Sequence, residues 1–455
     1  MSGRERLLII GGDAAGMSAA AQARRRAPAE KLEIVAFEKG DFTSYGACGL
    51  PYYVAGRIDD PEELVSRSAE QHRANGIDVR MRHEVVAVDL DECVVRVRDL
   101  EAGSEEVEPF DQLVFANGAE PIRPQFPDVD AEGVHGIQTI GDGIALREHV
   151  VSEHLGDRAV VVGGGYIGLE MAEAMHERGM SVTVVEASRQ PMSTLDEDMG
   201  ALVAEAIRKI GLELQTETRV QAFDTDDHGH VRAVVTEHET IPADIVVLGI
   251  GVRPSVGVAR DAGVEIGPSG GVKTDRRMAT SVPGVWAAGD CVEVFHRVSR
   301  RPVTIALGTH ANKQGRVVGE NATAGYATFA GVIGTAITKV CAYEIGRTGL
   351  NEKEAREAGF EFVAATIEST TRAHYFQGSP EITVKVLAEK RSGRLLGAQI
   401  IGREGAAKRI DVMAAAIWNE MAADEFVELD LGYAPPFSPV WDPTLIAARK
   451  AASML

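Results

Sequence analysis

The residue best placed to do chemistry is Cys48, in the stretch Thr43-Ser44-Tyr45-Gly46-Ala47-Cys48-Gly49-Leu50-Pro51-Tyr52-Tyr53. Gly46, Ala47 and Gly49 offer little side-chain bulk to bury the sulfur. A thiol left open in this way can act as a nucleophile or an electron carrier, whereas most free cysteines only fill space. Cys93, Cys291 and Cys341 read as the second kind. Cys93 falls in Glu92-Cys93-Val94-Val95-Arg96-Val97, an alternating strand pattern that makes it inert. No CxxC pair occurs, which fits a reducing compartment and excludes a zinc ribbon or a disulfide-stapled secreted fold.

The elements that must position Cys48 begin upstream. The apolar run Leu7-Leu8-Ile9-Ile10 predicts a strand. Gly11-Gly12-Asp13-Ala14-Ala15-Gly16 and an Ala-rich helix toward Arg26 follow it. A second strand, Leu32 to Phe37, ends at Glu38. This is the order of a dinucleotide-binding βαβ unit, in which glycines make the tight turn, the helix start faces a pyrophosphate and the terminal acid takes ribose hydroxyls. The plan returns in Ala159 to Val162, Gly163-Gly164-Gly165-Tyr166-Ile167-Gly168, a helix, and Ser181 to Val185 ending at Glu186. One glycine fingerprint is a weak signal; two complete units are a strong one.

The repeat extends further. Asp111 to Pro121 follows the first unit and Asp244 to Pro254 the second, each an apolar strand that breaks at Gly and then Pro as a chain leaving a domain would. Gly284 to Asp290 then reads as a strand ending in Gly-Asp, and Ala311 to Asn321 as a helix, so the first domain resumes and the second is inserted within it. Glu361 to Thr366 and Ile382 to Leu387 are expected strands of a third unit, and Ala406 to Met421 an amphipathic helix. The expected fold class is α/β: two Rossmann-like domains and a C-terminal α/β domain. The expected boundaries are 1–150, 151–255, 256–330 for the resumed first domain, and 331–455.

A chain of 455 residues can bury several cores. Its formal charge of −21 disfavours nucleic acid or an anionic membrane as partner. No apolar run is long enough to span a bilayer, and Met1 to Arg6 is polar and leads straight into the first strand, so no signal peptide and a cytoplasmic location are expected.

Over nearly its whole length the chain resembles the FAD-dependent pyridine nucleotide-disulfide oxidoreductases. Ser44 to Tyr53 with its single cysteine, and Tyr433-Ala434-Pro435-Pro436, look most like the coenzyme A disulfide reductase subgroup, with its NADH oxidase and persulfide reductase relatives. The resemblance implies FAD on the first module, NAD(P)H on the second and a homodimer built by the third. Its implied cofactor-binding positions are Gly11, Gly12, Ala15, Gly16, Glu38, Lys39, Ser44, Ala116, Asn117, Gly118, Gly163, Gly165, Tyr166, Ile167, Gly168, Glu170, Glu186, Gly251, Gly289, Asp290 and Ala311. Among these, Glu38 serves the adenosine ribose, Asp290 the ribityl chain, Tyr166 and Ile167 the region where nicotinamide docks on flavin, and Glu170 the carboxamide. Glu186 repels a 2′-phosphate, so NADH is expected over NADPH, with Arg189 leaving NADPH open.

The resemblance also implies that Gln22, Arg25 and Ser44 hold coenzyme A, and that Tyr375 and Tyr433 from the partner subunit stand beside Cys48. Arg24-Arg25-Arg26 otherwise reads as a cationic helix end. A single redox cysteine holds its oxidising equivalents as a mixed disulfide with a small thiol or as a sulfenic acid. Ala14 stands where the sulfenic-acid branch carries a histidine, and no histidine follows His374, which together favour the mixed disulfide. The expected activity is therefore NAD(P)H-dependent reduction of a small disulfide, coenzyme A disulfide or persulfide first. The alternatives are NADH oxidase, or an electron donor to a protein such as a ferredoxin. Asp13 departs from the glycine fingerprint and is expected to point outward, with FAD still bound. Ala47, Asn117, Phe376, Gln377 and Phe437 are further departures from the subgroup.

Overall fold

The computed structural model describes residues 4–152 and 156–455. Two five-stranded parallel sheets carry the two modules. In the first the order is Val285–Ala287, Gln112–Phe115, Glu5–Ile10, Leu32–Glu38, Asp78–Met81. In the second it is Glu213–Gln215, Ser181–Val185, Arg158–Val162, Ile245–Leu248, Val134–Gly136. The central strands are continuous apolar runs because both faces are covered: helices pack on one, and on the other a three-stranded antiparallel sheet, 83–109 in the first module and 220–242 in the second. Ile10 is opposite Phe37 and Phe115, and Val162 is opposite Val185 and Leu248. Each glycine loop therefore leaves its sheet beside the ends of both neighbouring strands.

Val285 pairs with Leu113, so the chain returns to the first sheet after completing the second, and the second domain is inserted in the first. The two Gly-then-Pro exits pair with each other: Ala119–Pro121 runs antiparallel to Val252–Pro254, closed by an Arg253–Glu120 ion pair of 2.8 Å. The second sheet also reaches back to Val134–Gly136, upstream of the expected start at 151.

The first helix, Ala14–Arg26, packs at backbone distance on Gly308–Asn321. A Cβ on Gly315 would lie 2.2 Å from the Ala15 carbonyl oxygen, so only glycine permits this approach. The third unit is a five-stranded antiparallel sheet, Ala336–Val340, Tyr343–Gly349, Leu395–Gly402, Glu381–Glu389, Phe362–Thr370, backed by the helices Ile410–Trp418 and Pro443–Ala452. The helix expected over Ala406 to Met421 is shorter than its pattern. Ala407–Arg409 is a 3₁₀ turn, and at Glu420 (φ 55°) the chain reverses so that the Met421 carbonyl accepts from Leu395 N–H at 2.9 Å. Lys385 Nζ, buried in this sheet, meets Asp196 at 3.2 Å, Asp198 at 2.7 Å and Glu352 at 2.7 Å. Since Asp196 and Asp198 flank the start of helix Glu197–Lys209 in the second module, this charge cluster fixes the third unit against it.

Candidate functional site

The first glycine loop is set by close approach. Gly11 has φ 107°, and a Cβ there would lie 2.2 Å from Ala116 O; one on Gly16 would lie 1.9 Å from Gly11 O. Glu38 turns into the loop and accepts from Gly12 N–H and Gly40 N–H, both at 2.8 Å. Gly12 O takes a hydrogen bond from the Thr43 hydroxyl. Ala15, Gly289 and Ala311 converge, since a Cβ on Gly289 would stand 2.9 Å from the Ala15 Cβ and 3.8 Å from the Ala311 Cβ. Three of the expected residues of the first module are thus brought together, Asp290 follows directly after Gly289, and Lys39 is exposed. Gln314, which the sequence reading missed, supports Gly289 by accepting from its N–H at 2.7 Å.

The second loop repeats the first. A Cβ on Gly168 would lie 1.9 Å from Gly163 O, and one on Gly163 would lie 2.5 Å from Gly249 O. Gly249 therefore makes the close approach here, and Gly251 starts the exit strand. Glu186 accepts from Gly164 N–H at 2.6 Å and Ser188 N–H at 2.8 Å. Gly165 precedes the helix Tyr166–Glu177, which carries Tyr166, Ile167 and Glu170. The Tyr166 hydroxyl is buried beside Thr194. Glu170 accepts from Thr338 at 2.7 Å, and burial raises its pKa.

Between the modules runs the cysteine loop. Ser44 sits at φ 52°, its hydroxyl 2.9 Å from Nε2 of the buried His72. Gly46 N–H donates to Leu64 O at 2.9 Å. A Cβ on Gly49 would lie 2.3 Å from Leu64 Cδ2, which is why the residue after Cys48 is small. Cys48 is exposed in the turn Ala47–Gly49, ahead of the short helix Leu50–Ala55. Apolar walls around the sulfur, and then the negative Glu170, push its thiol above the ordinary value. A reactive thiolate at this position therefore needs hydrogen-bond donors from elsewhere.

Two expectations are corrected. Asp13 does not point outward: its carboxylate turns in and accepts from Tyr45 N–H at 3.1 Å, joining the first glycine loop to the cysteine loop. The backbone of Tyr45 attracts it, an interaction that glycine-loop spacing does not reveal. Cys93 is not in a strand: it is exposed at φ 53° in the turn before Val94–Asp99, because its N-terminal neighbours Asp91 and Glu92 are bound to the Asp89 carboxylate. Cys291 is buried, as expected of a packing residue, while Cys341 is half-buried in a turn at φ 50°. None of the four is paired.

Elsewhere, Tyr375 and Tyr433 meet with hydroxyls 3.2 Å apart on an exposed surface that also carries Phe437 and Trp441. On the first helix, Arg24 is spent on the carbonyls of Ala27, Leu32 and Gly76, and Arg26 on Glu320. Arg25 remains at the surface and donates to Gln22, which itself donates to Glu320 at 2.8 Å.

The descriptions of two family models match the chain: "Pyridine nucleotide-disulphide oxidoreductase" over residues 5–315, and its dimerisation domain over 335–443. The chain belongs to this family. The enzyme is similar to the NAD(P)H sulfur oxidoreductase (CoA-dependent) of Pyrococcus abyssi, with 39% identity over 98% of both chains. It is 33% identical to an NADH oxidase of Methanocaldococcus jannaschii over 99% of both. A solved NAD-dependent persulfide reductase from A. fulgidus superposes with a TM-score of 0.95 at 37% identity, covering 99% of this chain and 83% of that one. This oxidoreductase uses FAD and NAD(P)H. Its residues fit both: each module presents a cradle that a single Cβ would fill and a carboxylate held against the glycine loop by a backbone N–H. Among the described residues no helix is long and apolar enough to cross a membrane, and no cluster is arranged for a metal.

Proposed function

We propose that this enzyme reduces a small disulfide or persulfide of coenzyme A through Cys48. The carrying observation is the placement of Cys48, exposed and unpaired in a loop tied through Asp13 to the first glycine loop. Bound FAD would supply the electron pair, taken from the pyridine nucleotide on the second module. The Cys48 thiolate attacks one sulfur of the substrate, the substrate S–S bond breaks, and the departing thiolate takes a proton. Two electrons would then cleave the Cys48 mixed disulfide, returning Cys48 as the thiolate and releasing the second substrate thiolate, which takes a proton. Tyr375 and Tyr433, contributed by the partner subunit of a homodimer, are the hydroxyl donors for the departing sulfur, a role for which their shared hydrogen bond prepares them.

The substrate class follows from the first helix and the P. abyssi relative. Arg25 lies 12 residues beyond Asp13, about 18 Å along the helix at 1.5 Å per residue. A ligand that joins Arg25 and Ser44 to Cys48 is long, anionic at one end and carries sulfur at the other, as coenzyme A does. The deciding experiment is mass spectrometry of the unreduced protein after exposure to coenzyme A disulfide. A coenzyme A adduct on Cys48 is the expected result. A single added oxygen would favour an NADH oxidase instead, and a bare thiol would overturn the reading.

We also assign the cofactor preference to Glu186. Its carboxylate is fixed by two backbone donors and cannot swing away from a 2′-phosphate. Arg189 is engaged by Glu197 at 4.0 Å and Glu217 at 3.7 Å. NADH is expected to exceed NADPH in kcat/KM by at least about tenfold, because like-charge contact costs upward of ~1.4 kcal/mol. Glu186→Ala should narrow that ratio; an unchanged ratio would remove Glu186 from the explanation.

A further inference from the structure

Asp13 occupies the N-cap position of the first helix, yet its best hydrogen bond goes to Tyr45 in the cysteine loop and not to a helix N–H further along. Its Oδ1 is held by Tyr45 N–H at 3.1 Å, and it makes no ion pair among the described residues. The groups that face it are acidic or neutral. They are Glu38 from the end of the second strand, Asp290 from the loop after Val285–Ala287, and Tyr45, a neutral phenol at physiological pH that burial pushes further from ionising. A dinucleotide pyrophosphate brings two more negative charges to the start of this helix. An ionised carboxylate there would be repelled by Glu38, by Asp290 and by the pyrophosphate, whereas a carboxylic acid is a hydrogen-bond donor.

We propose that Asp13 is a further flavin-binding residue that acts as a neutral acid, accepting from Tyr45 N–H through one oxygen and donating from the other to the pyrophosphate, so that FAD binding takes up one proton. The proposal rests on the first module being the flavin site. Desolvation first, then Glu38 and Asp290, hold the carboxyl at about 6 before any ligand adds its charge, against the pull of the Tyr45 and Ala14 N–H groups. Below pH 6 the acid is already formed and flavin retention is flat. Above it, ionisation of the free site competes with binding, and retention falls by up to about tenfold per pH unit until the higher pKa of the complex is reached.

The test is FAD release from the purified holoenzyme, read as the equilibrium rise in flavin fluorescence on dilution between pH 5.5 and 8.5. The wild type, Asp13→Asn and Asp13→Val are compared. The wild type should release at least about tenfold more readily at pH 8 than at pH 6. Asp13→Asn, which keeps both the acceptor for Tyr45 and an outward donor, should show a flat profile and retain FAD at pH 8 at least as well as the wild type. Asp13→Val should be flat but weaker than Asp13→Asn. Infrared spectra of holoenzyme labelled with ¹³C-aspartate should show a protonated carboxyl band at pH 7.5 that Asp13→Asn removes. A flat wild-type profile, an equal slope in Asp13→Asn, or a slope abolished by a metal chelator would overturn the proposal. Wild-type protein that holds no FAD at any pH would overturn the flavin assignment of the first module itself.

Discussion

Cys48→Ser is expected to abolish NADH-dependent disulfide reduction, by about 10³-fold or more, the scale on which loss of a covalent nucleophile acts. A serine hydroxyl neither ionises near neutral pH nor exchanges with a disulfide, so no later step replaces the missing sulfur. The lesion is confined to chemistry. Cys48 is exposed in a turn whose geometry is set by Gly46, Gly49 and Leu64, none of which changes, so stability should shift by no more than about 0.5 kcal/mol. Flavin content and NADH-dependent reduction of ferricyanide should both survive, since neither needs the thiol. Disulfide turnover at the wild-type rate in this variant would sink the reductase reading and leave electron donation to a protein partner as the better account.

Gly16→Ala and Gly168→Ala place one methyl group at matched points of the two modules, and they should produce different losses. In each case the new Cβ would stand 1.9 Å from a loop carbonyl oxygen, that of Gly11 or of Gly163. These are backbone atoms of a tight turn, so relief requires the helix start to move off the strand end. Overpacking of this kind costs about 1–3 kcal/mol, about 5- to 150-fold in an equilibrium constant. Gly16→Ala should weaken FAD retention by that factor while Gly168→Ala raises the KM for NADH and leaves the protein yellow. Flavin absorbance per chain and steady-state KM measure the two effects. Flavin loss in Gly168→Ala with an unchanged KM would reverse the assignment of the modules.

Much of the architecture was legible because its signals are local. A glycine pair between an apolar run and an Ala-rich helix, with an acid closing the next strand, is a pattern of some 30 residues, and its repetition identified two modules without any long-range information. The strand ending in Gly289-Asp290 and the helix after it read as the first domain resuming, and Val285 pairs with Leu113 of the first sheet.

Side-chain contacts that hydrophobic periodicity does not register explain the misses. Local alternation predicts a strand at Cys93, but Asp89 captures the backbone of Asp91 and Glu92 and turns the chain. The helix after Ala406 stops at Trp418 because Leu395 recruits the Met421 carbonyl. Asp13 looked like an exposed irregularity of the fingerprint until Tyr45, 32 positions away, was found to hold it inside. Tyr375 and Tyr433, 58 residues apart, form one hydroxyl pair only when the third sheet and the C-terminal segment fold together.

The sequence by itself therefore determined the two nucleotide modules, their nesting and the isolation of one cysteine, since turn chemistry and hydrophobic period act over a few residues. Only the tertiary structure decided which way Asp13 faces, how Ser44 meets His72 and that Gln314 supports Gly289. Those are matters of side-chain direction between segments far apart in the chain, and the energy that selects them, burial offset by a hydrogen bond, exists only once the segments have met.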